Sequence, residues 1–400
     1  MKQQTAVGPA DAAAIPFDAK LLDSLMEEAR LDVLLVTSKH NVQYMLGGHR
    51  ALFFDYMDAM GVSRYLPVLI YVKGAPDKAA YIGHRTERNQ HELKKFWVAE
   101  TAANSWGSVD AIEKAVAYLQ RIGLDQARIG IEFSYLPYDS ASTLQATVPP
   151  ARISDARGIL DILRGRKSPA ELDMMREASE RVIDSMKAVI ADLTPGMTKQ
   201  QVADALKLEE VSRGLVFEYC LITAGADLNR APSDQVVQQG DILSIDSGGS
   251  YRGYIGDLAR MAIVGEPDAE LVDLLGEIET VQQAAFKPIT AGLMGRDIYA
   301  AAGEALATVR HGNQLDFVAH GVGLVTHEVP RLSNRAPSPY PDTDAHLPLQ
   351  AGMVVSVETT LRHATRGFIK LEDTVAVLED GHEVFANTLR GWNRAGARNA

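Results

Sequence analysis

The sequence predicts two domains, an α/β domain with a mixed or parallel sheet over residues 16–157 and an α+β domain over residues 158–400. Three observations support this division. A chain of 400 residues is longer than one typical hydrophobic core requires. Helix-like and strand-like segments alternate up to residue 157, a pattern typical of α/β domains. Beyond it, long helices are followed by apolar strands with glycine-rich connections.

The first domain is predicted from its hydrophobic periodicity. LLDSLMEEARL and VDAIEKAVAYLQRIGL have helical spacing of apolar residues, whereas DVLLVTS, LPVLIYVKG, KAAYIG and RIGIEF are short apolar runs typical of strands. Residues 1–15 contain one lysine but no continuous apolar stretch after it, so we expect a loose tail rather than a signal peptide.

The second domain begins with a helix whose start is clearly marked. Ser168 can act as the N-cap, Pro169 suits the first helical position, and Glu171 completes a capping box. A second helix should start after Thr198, and two more are predicted from AELVDLLGEIETVQQAAF and GRDIYAAAGEALATVRHG. The domain boundary is therefore expected near residue 158.

Composition excludes several classes of partner. A net charge of −12 and the lack of a Lys/Arg tract argue against nucleic acid. No apolar run reaches the ~18 residues needed to span a bilayer. The single cysteine, Cys220, cannot form an intrachain disulfide and lies in an apolar run, where we expect a small buried residue. A chain with a single cysteine suits a reducing compartment such as the cytoplasm.

Two carboxylates frame the hairpin predicted from IDSGGSYRGYIGD. If the chain folds about Tyr251–Arg252, Asp246 and Asp257 lie directly opposite each other. Gly248 and Gly249 are then part of the connection. From this stretch alone, a hairpin with both carboxylates in solvent is the favoured interpretation, because short motifs often occur by chance.

Two further segments repeat this placement of ionisable groups in apolar surroundings. FVAHGVGLVTHEVP holds His320 and His327, seven residues apart in a glycine-rich context. The strand MVVSVE is expected to end at Glu358, and FIKLEDTVAV contains Glu372. A glutamate inside so apolar a strand is costly unless it is paired or bound to a cation.

Together these segments predict a metal site. Four carboxylates and one imidazole in one pocket could not all stay ionised without cations, and two divalent ions would resolve this. Oxygen-rich ligation with one histidine suits Mn, Co, Fe or Zn. The five predicted ligands are Asp246, Asp257, His320, Glu358 and Glu372.

At these residues the chain resembles the pita-bread metallohydrolases, which include aminopeptidase P, prolidase, methionine aminopeptidase and creatinase. The family pattern has an Asp, a second Asp eleven residues on, an HGxGxxxHE segment, a Glu at a strand end and a last Glu in an ED pair, and this chain matches each. LDVLLVTSKHNVQYMLGG and LRGRKSPAELDMMREAS resemble the amino-terminal domain and the interdomain entry of the aminopeptidase P, prolidase and creatinase branch.

The resemblance implies a creatinase-type mixed-sheet α/β domain followed by a pita-bread domain, in which helices flank a curved antiparallel sheet. It implies a dimetal hydrolase of a C–N amide bond, most like an Xaa-Pro aminopeptidase or dipeptidase, with a metal-bridging water as nucleophile and manganese as the first choice of metal. Glu358 would be both ligand and general base, and His327 would stabilise the tetrahedral intermediate or position a short-peptide or small-molecule substrate. It also implies a homodimer.

The chain departs from the family around the substrate. Arg230 stands where these enzymes usually have a histidine, and Lys370 stands where they often have an arginine. Arginine cannot act as a general base, but it can bind an anionic group. We therefore expect Arg230, Lys370 and His327 to contact substrate, and Arg331 is a further candidate.

These departures leave alternative functions open. One is a non-peptide amide hydrolase with a creatinase-type substrate, and another is a metal-dependent lyase on the same scaffold. A binding protein without activity is disfavoured, because five retained ligands would then be buried at a cost.

Overall fold

The computed structural model describes residues 14–50, 65–89, 96–334 and 341–396. The chain divides into two compact units, Met1–Leu163 and Arg164–Ala400, a division a few residues beyond the predicted boundary. Residues 1–13 of the predicted tail lie outside the described residues. Within the described ranges, none of the helices combines the length and the apolar character needed to cross a bilayer.

The first unit contains the predicted mixed sheet. Its strands run in the order β4-β3-β2-β1-β5-β6, with β1 antiparallel to β2 and parallel to β5. The helices are α1 (Ala19–Glu28), α2 (Lys39–Met45), α3 (Ser108–Arg121), α4 (Tyr138–Thr147) and α5 (Arg157–Gly165), the last running across the division between the units. The strands are β1 (Val33–Val36), β2 (Val68–Val72), β3 (Ala80–His84), β4 (Glu100–Ser105), β5 (Ile129–Ile131) and β6 (Ile153–Asp155).

Strand β1 shows why the apolar runs of this unit are continuous rather than alternating. Val33 and Leu35 belong to a core cluster that includes α3, whereas Leu34 and Val36 belong to a second cluster that includes α1. A strand buried on both faces needs apolar residues at every position. Edge strand β4 is largely exposed and polar, and for that reason its sequence does not predict a strand.

The second unit contains an antiparallel sheet of the order β10-β11-β12-β9-β8-β7, to which β13 adds beside β12 and β14 beside β9. Among the described strands of this second sheet, only the two-residue β14 pairs in parallel. The helices are α6 (Pro169–Asp192), α7 (Lys199–Ser212), α8 (Ala269–Phe286) and α9 (Gly295–Leu306). The strands are β7 (Val216–Ala224), β8 (Ile242–Tyr251), β9 (Tyr254–Ile263), β10 (Leu315–Gly321), β11 (Val354–His363), β12 (Gly367–Leu378), β13 (Gly381–Val384) and β14 (Asn393–Arg394).

Both predicted helix starts are confirmed. The backbone N–H of Ser168 donates to Glu171 Oε2 at 2.7 Å, and the Ser168 hydroxyl accepts from the N–H of Glu171. Thr198 makes the same reciprocal pair with Gln201. Each box satisfies backbone donors that the first turn of a helix leaves without partners.

The helices of the second unit cover one face of the sheet. Ile245 and Leu258 belong to the core cluster of α6 and α7, and Ala319, Val357 and Leu371 belong to that of α8 and α9. Because successive side chains in a strand point to opposite faces, the sequence neighbours of these five residues project from the other face. Those neighbours are Asp246, Asp257, His320, Glu358 and Glu372.

Glu210 on α7 is a buried acid that the sequence did not single out. Its Oε1 accepts a hydrogen bond from Ser247 Oγ at 2.8 Å, and its Oε2 has no hydrogen-bond partner among the described residues. Burial raises the pKa of this carboxyl to about 7. The folded protein therefore retains a proton that the unfolded chain loses near its ordinary pKa of 4.5.

Replacing Glu210 with glutamine should remove a pH-dependent loss of stability. Below the unfolded pKa both states are protonated, and between pH 4.5 and about 7 only the folded state is, so stability falls as pH rises through that window. The free energy of unfolding of Glu210→Gln relative to the parent should therefore increase by about 3 kcal/mol between pH 4.5 and pH 8. Urea unfolding at a series of pH values measures this difference. The exposed Glu304→Gln is the control, and parallel profiles for parent and Glu210→Gln would contradict the assignment.

Candidate metal centre

The register of the sheet brings the predicted ligands onto one face. Asp246 lies opposite Ala259, Ala259 lies opposite Glu372, and Glu372 lies opposite Glu358. Residues directly opposite in antiparallel strands share a face. His320 pairs with Ser356, two residues from Glu358, and therefore projects from the same face. The predicted end of β11 at Glu358 is wrong, because the strand continues to His363 and Glu358 lies in its interior.

The predicted register of the hairpin is wrong by one residue at the turn. The two turn residues are Arg252 and Gly253, with φ of 53° and 92°. Positive φ at both positions matches the twist of a two-residue hairpin. Asp257 consequently lies opposite Gly248 rather than Asp246, and the two carboxylates are diagonal neighbours on one face.

Gly248 and Gly249 lie within strand β8 rather than in the connection, and contacts across the sheet explain them. A Cβ at Gly248 would come within 2.3 Å of the ring of Tyr219 on β7. The Tyr219 hydroxyl in turn donates a hydrogen bond to Asp257 Oδ1. Tyr219 is a site residue that the sequence analysis missed, because only the pairing of β7 with β8 shows that it reaches the carboxylate.

Three of the five predicted ligands form a compact buried group. One ligand atom from each of Asp257, His320 and Glu372 lies within 4.8 Å of the others. His320 Nε2 lies 3.8 Å from Glu372 Oε1, and the Nδ1 of the same ring is 3.2 Å from the carbonyl of Gly321. That second contact orients the ring and leaves Nε2 facing the carboxylates. The donor set of two carboxylates and one imidazole fits a divalent ion.

Lys370 lies among three of the four predicted carboxylate ligands. Its Nζ is 2.7 Å from Asp246 Oδ2, 2.5 Å from Glu358 Oε2 and 2.8 Å from Glu372 Oε2. The side chain is only 3% exposed. Its predicted role in substrate binding stays a prediction, since the contacts it makes here are with the carboxylates.

Arg230 is also engaged with the acidic group. One guanidinium nitrogen donates to Asp246 Oδ2, the same oxygen that Lys370 contacts. The guanidinium carbon lies 5.0 Å from the centre of the Phe368 ring. About one third of the Arg230 side chain is exposed. Arg331 is not one of the described residues that line the cavity at this centre.

The loop that carries His327 is fixed by buried charges. The imidazole stacks on His320 with ring centres 4.0 Å apart. Burial, followed by the charge of His320, lowers the pKa of His327 to about 4, so its ring is neutral at physiological pH. The adjacent Glu328 is 1% exposed and accepts from Arg164 Nη1 at 2.6 Å and Lys167 Nζ at 2.7 Å. The sequence analysis missed these two buried ion pairs of Glu328, because they join segments far apart in the chain.

The pKa values reflect crowding of like charges. Burial raises the pKa of Asp246 to about 6 despite the opposing effect of Lys370, and burial with the Glu372 charge raises that of Asp257. Burial by itself lowers the pKa of His320, but a hydrogen bond to Glu372 and the neighbouring carboxylate charges raise it to about 9 overall. Such a site favours cations.

These groups line a cavity of about 320 Å³ that also includes Thr326 and Leu221. A second cavity of about 730 Å³ shares Arg230 and Glu358 with it and is lined further by Tyr299, Phe317 and Phe368. Space for a short peptide or another small molecule therefore adjoins the buried ligand group.

Comparison with known proteins identifies the family. The sequence model of metallopeptidase family M24 matches residues 173–379, which contain the five predicted ligands. The chain belongs to metallopeptidase family M24. The model of the Creatinase/Prolidase N-terminal domain matches residues 19–165, so the two matches follow the two units. The predicted family and fold class are thereby confirmed.

Individual M24 relatives align over nearly the whole chain. The uncharacterized peptidase YqhT of Bacillus subtilis is 25% identical over 92% of this chain and 97% of its own. The Xaa-Pro dipeptidase of Pyrococcus horikoshii is 24% identical over 93% of this chain and 97% of its own. The solved structure of the Xaa-Pro dipeptidase from Bacillus anthracis has a TM-score of 0.78 at 22% identity, covering 94% of this chain and 98% of that one.

Membership of family M24 and the buried group of Asp257, His320 and Glu372 both indicate a metal-dependent enzyme. The chain is a metal-dependent hydrolase with peptidase function, and a divalent metal ion belongs to its chemistry. All three relatives are described as peptidases, so the alternatives of a creatinase-type amide hydrolase and a lyase are not favoured.

Proposed function

We propose that this M24 chain hydrolyses the amide bond before proline in short peptides, as an Xaa-Pro dipeptidase or aminopeptidase. The observation that carries the proposal is the buried group of Asp257, His320 and Glu372, which opens onto a cavity large enough for a dipeptide. The Xaa-Pro dipeptidases among its relatives support the choice of bond.

Asp257, His320 and Glu372 would hold a divalent ion, with Asp246 and Glu358 completing the set predicted from the sequence. When bound, such an ion polarises the amide carbonyl and lowers the pKa of water. Glu358 lines the cavity and is proposed as the general base. The neutral imidazole of His327 can donate one hydrogen bond to a developing oxyanion. Arg230 and Lys370 would hold the substrate side of the cavity through their positive charges.

We further propose manganese as the preferred ion, a homodimeric assembly and a cytoplasmic location. A donor set of carboxylates and one imidazole supports a metal such as manganese. The single cysteine, Cys220, is buried, which suits a reducing compartment. Size-exclusion chromatography with light scattering measures the oligomeric state directly.

The activity is tested with chelator-stripped full-length protein reconstituted with Mn²⁺, Co²⁺ or Zn²⁺. We expect hydrolysis of Ala-Pro and Leu-Pro, and at least about tenfold lower kcat/KM for the matched Ala-Leu, because discrimination of one side chain in a pocket is worth roughly 1–3 kcal/mol. Tripeptides of the form Xaa-Pro-Xaa distinguish the two activities, because an aminopeptidase should cleave them and a dipeptidase should not. Metal-loaded protein that cleaves none of these peptides would refute the proposal.

Arg230→His tests whether the residue that departs from the family pattern sets specificity. The change restores the usual family residue and removes the guanidinium bonded to Asp246. We expect the preference among peptides with acidic, neutral and basic first residues to change, measured as ratios of kcat/KM. Unchanged ratios, with Arg394→His on β14 as a control for loss of an exposed arginine in the same sheet, would show that Arg230 does not contact substrate.

A further inference from the structure

The ammonium group of Lys370 is buried and surrounded by carboxylate oxygens, as a bound cation would be. An ammonium group has three N–H donors, and three carboxylate oxygens lie 2.5–2.8 Å from this one, on Asp246, Glu358 and Glu372. Each donor therefore has an acceptor, and the side chain is 3% exposed. Three of the five predicted ligands thus contact Lys370, and one of these three, Glu372, also belongs to the compact group with Asp257 and His320.

Asp246 shows the competition most clearly. Its Oδ2 accepts from both Arg230 and Lys370, and one carboxylate oxygen has about two lone pairs. A metal ion approaching this oxygen would have to displace one of the two cations. Glu358 is in a similar position, because its Oε2 contacts Lys370 and its Oε1 lies 4.0 Å from His320 Nε2. Glu372 is shared, since its Oε2 contacts Lys370 and its Oε1 lies 3.8 Å from His320 Nε2. Asp257 belongs to the compact group and is not one of the three carboxylates that pair with Lys370 among the described residues.

The charges in the cavity lead to the same distinction. Four carboxylates line it, and Lys370 and Arg230 contribute two positive charges. The remaining excess of negative charge is what one divalent ion neutralises. A second divalent ion would add two positive charges beside an ammonium group, a repulsion that is strong in a buried site.

We propose that Lys370 serves as an internal cation in place of a second metal, so that the chain binds one divalent ion tightly at Asp257, His320 and Glu372. The inference rests on the proposed metal-dependent function and makes it more specific. Asp246 and Glu358 then act mainly as partners of Lys370. The two ion positions predicted from the sequence are unequal, and the second has low affinity.

The stoichiometry of Mn²⁺ binding tests this directly. Chelator-stripped protein is titrated with Mn²⁺ by calorimetry, and bound metal is counted by mass spectrometry after dialysis. We expect one tight ion in the parent and two in Lys370→Met, with the affinity for the second ion raised roughly 100-fold or more by loss of the ammonium charge. Lys370→Arg, which keeps the charge, should still bind one. Lys287→Met removes an exposed lysine from the end of α8 and should also leave one.

A second pair of variants decides the question if Lys370→Met does not fold. Asp257→Asn should abolish tight Mn²⁺ binding, whereas Asp246→Asn should leave one tight ion. Two tight ions in the parent, or equal losses in both aspartate variants, would overturn the role of Lys370 while leaving a metal-dependent enzyme. No tight ion in the parent would instead overturn the proposed function itself.

Discussion

His320→Ala should eliminate both tight metal binding and peptidase activity. His320 supplies the only nitrogen of the compact ligand group, and its Nε2 lies 3.8 Å from Glu372 Oε1 in a site with almost no exposure. A catalytic metal contributes several kcal/mol of transition-state stabilisation, so kcat/KM should fall by at least about 10³-fold. Metal content and peptide hydrolysis are measured on the same preparation.

His346→Ala is the matched control for this prediction. His346 is exposed in a short turn and lies outside the cavity at the metal centre. Its replacement should change kcat/KM by no more than about twofold, as expected for a surface substitution. If His320→Ala retained a full complement of tightly bound metal and normal activity, the assignment of the ligand group would be wrong.

Asp373→Asn should strongly destabilise the second unit. Asp373 follows the predicted ligand Glu372 and is fully buried beside Arg260, whose Nη2 donates to it at 2.7 Å. Arg390 is its second partner but also pairs with Glu279. The change leaves the buried Arg260 guanidinium without its carboxylate, which should lower the free energy of unfolding by about 3–5 kcal/mol.

Urea unfolding followed by circular dichroism measures this loss, and Asp316→Asn provides the comparison. Asp316 pairs with Arg362 at 2.6 Å, but both side chains are more than half exposed. An exposed pair is typically worth about 1 kcal/mol or less. Equal effects of the two substitutions would show that the Arg260 charge is compensated by its backbone carbonyl contacts alone.

The sequence predicted the ligand residues because their chemistry is locally anomalous. Glu358 and Glu372 interrupt apolar strands, and no ordinary core explains a charge there. The same strands supply the core residues whose alternation directs these carboxylates to the opposite face. Period and polarity along one strand therefore single out Glu358 and Glu372, whereas Asp246 and Asp257 joined the predicted site only when the segments were considered together.

What the sequence could not predict depends on contacts across strands. The hairpin turn was predicted one residue early, and Gly248, predicted to belong to the connection, instead lies in the strand opposite Tyr219 of β7. The three contacts of Lys370 and the buried ion pairs of Glu328 likewise join segments distant in sequence. A pattern read along one segment contains no information about the residues that will lie opposite it.

Substitutions that impair the metal centre should include positions other than the predicted ligands, and Gly248 is one of them. It coordinates nothing, yet the missing side chain at this position makes room for the phenol that holds Asp257 in place. An alanine there would act on metal affinity through the tyrosine, and it would be classified as a ligand defect by any assay that measures only bound metal. A search for inactivating alleles confined to the codons of the five predicted ligands would therefore overlook a position on which Asp257 depends.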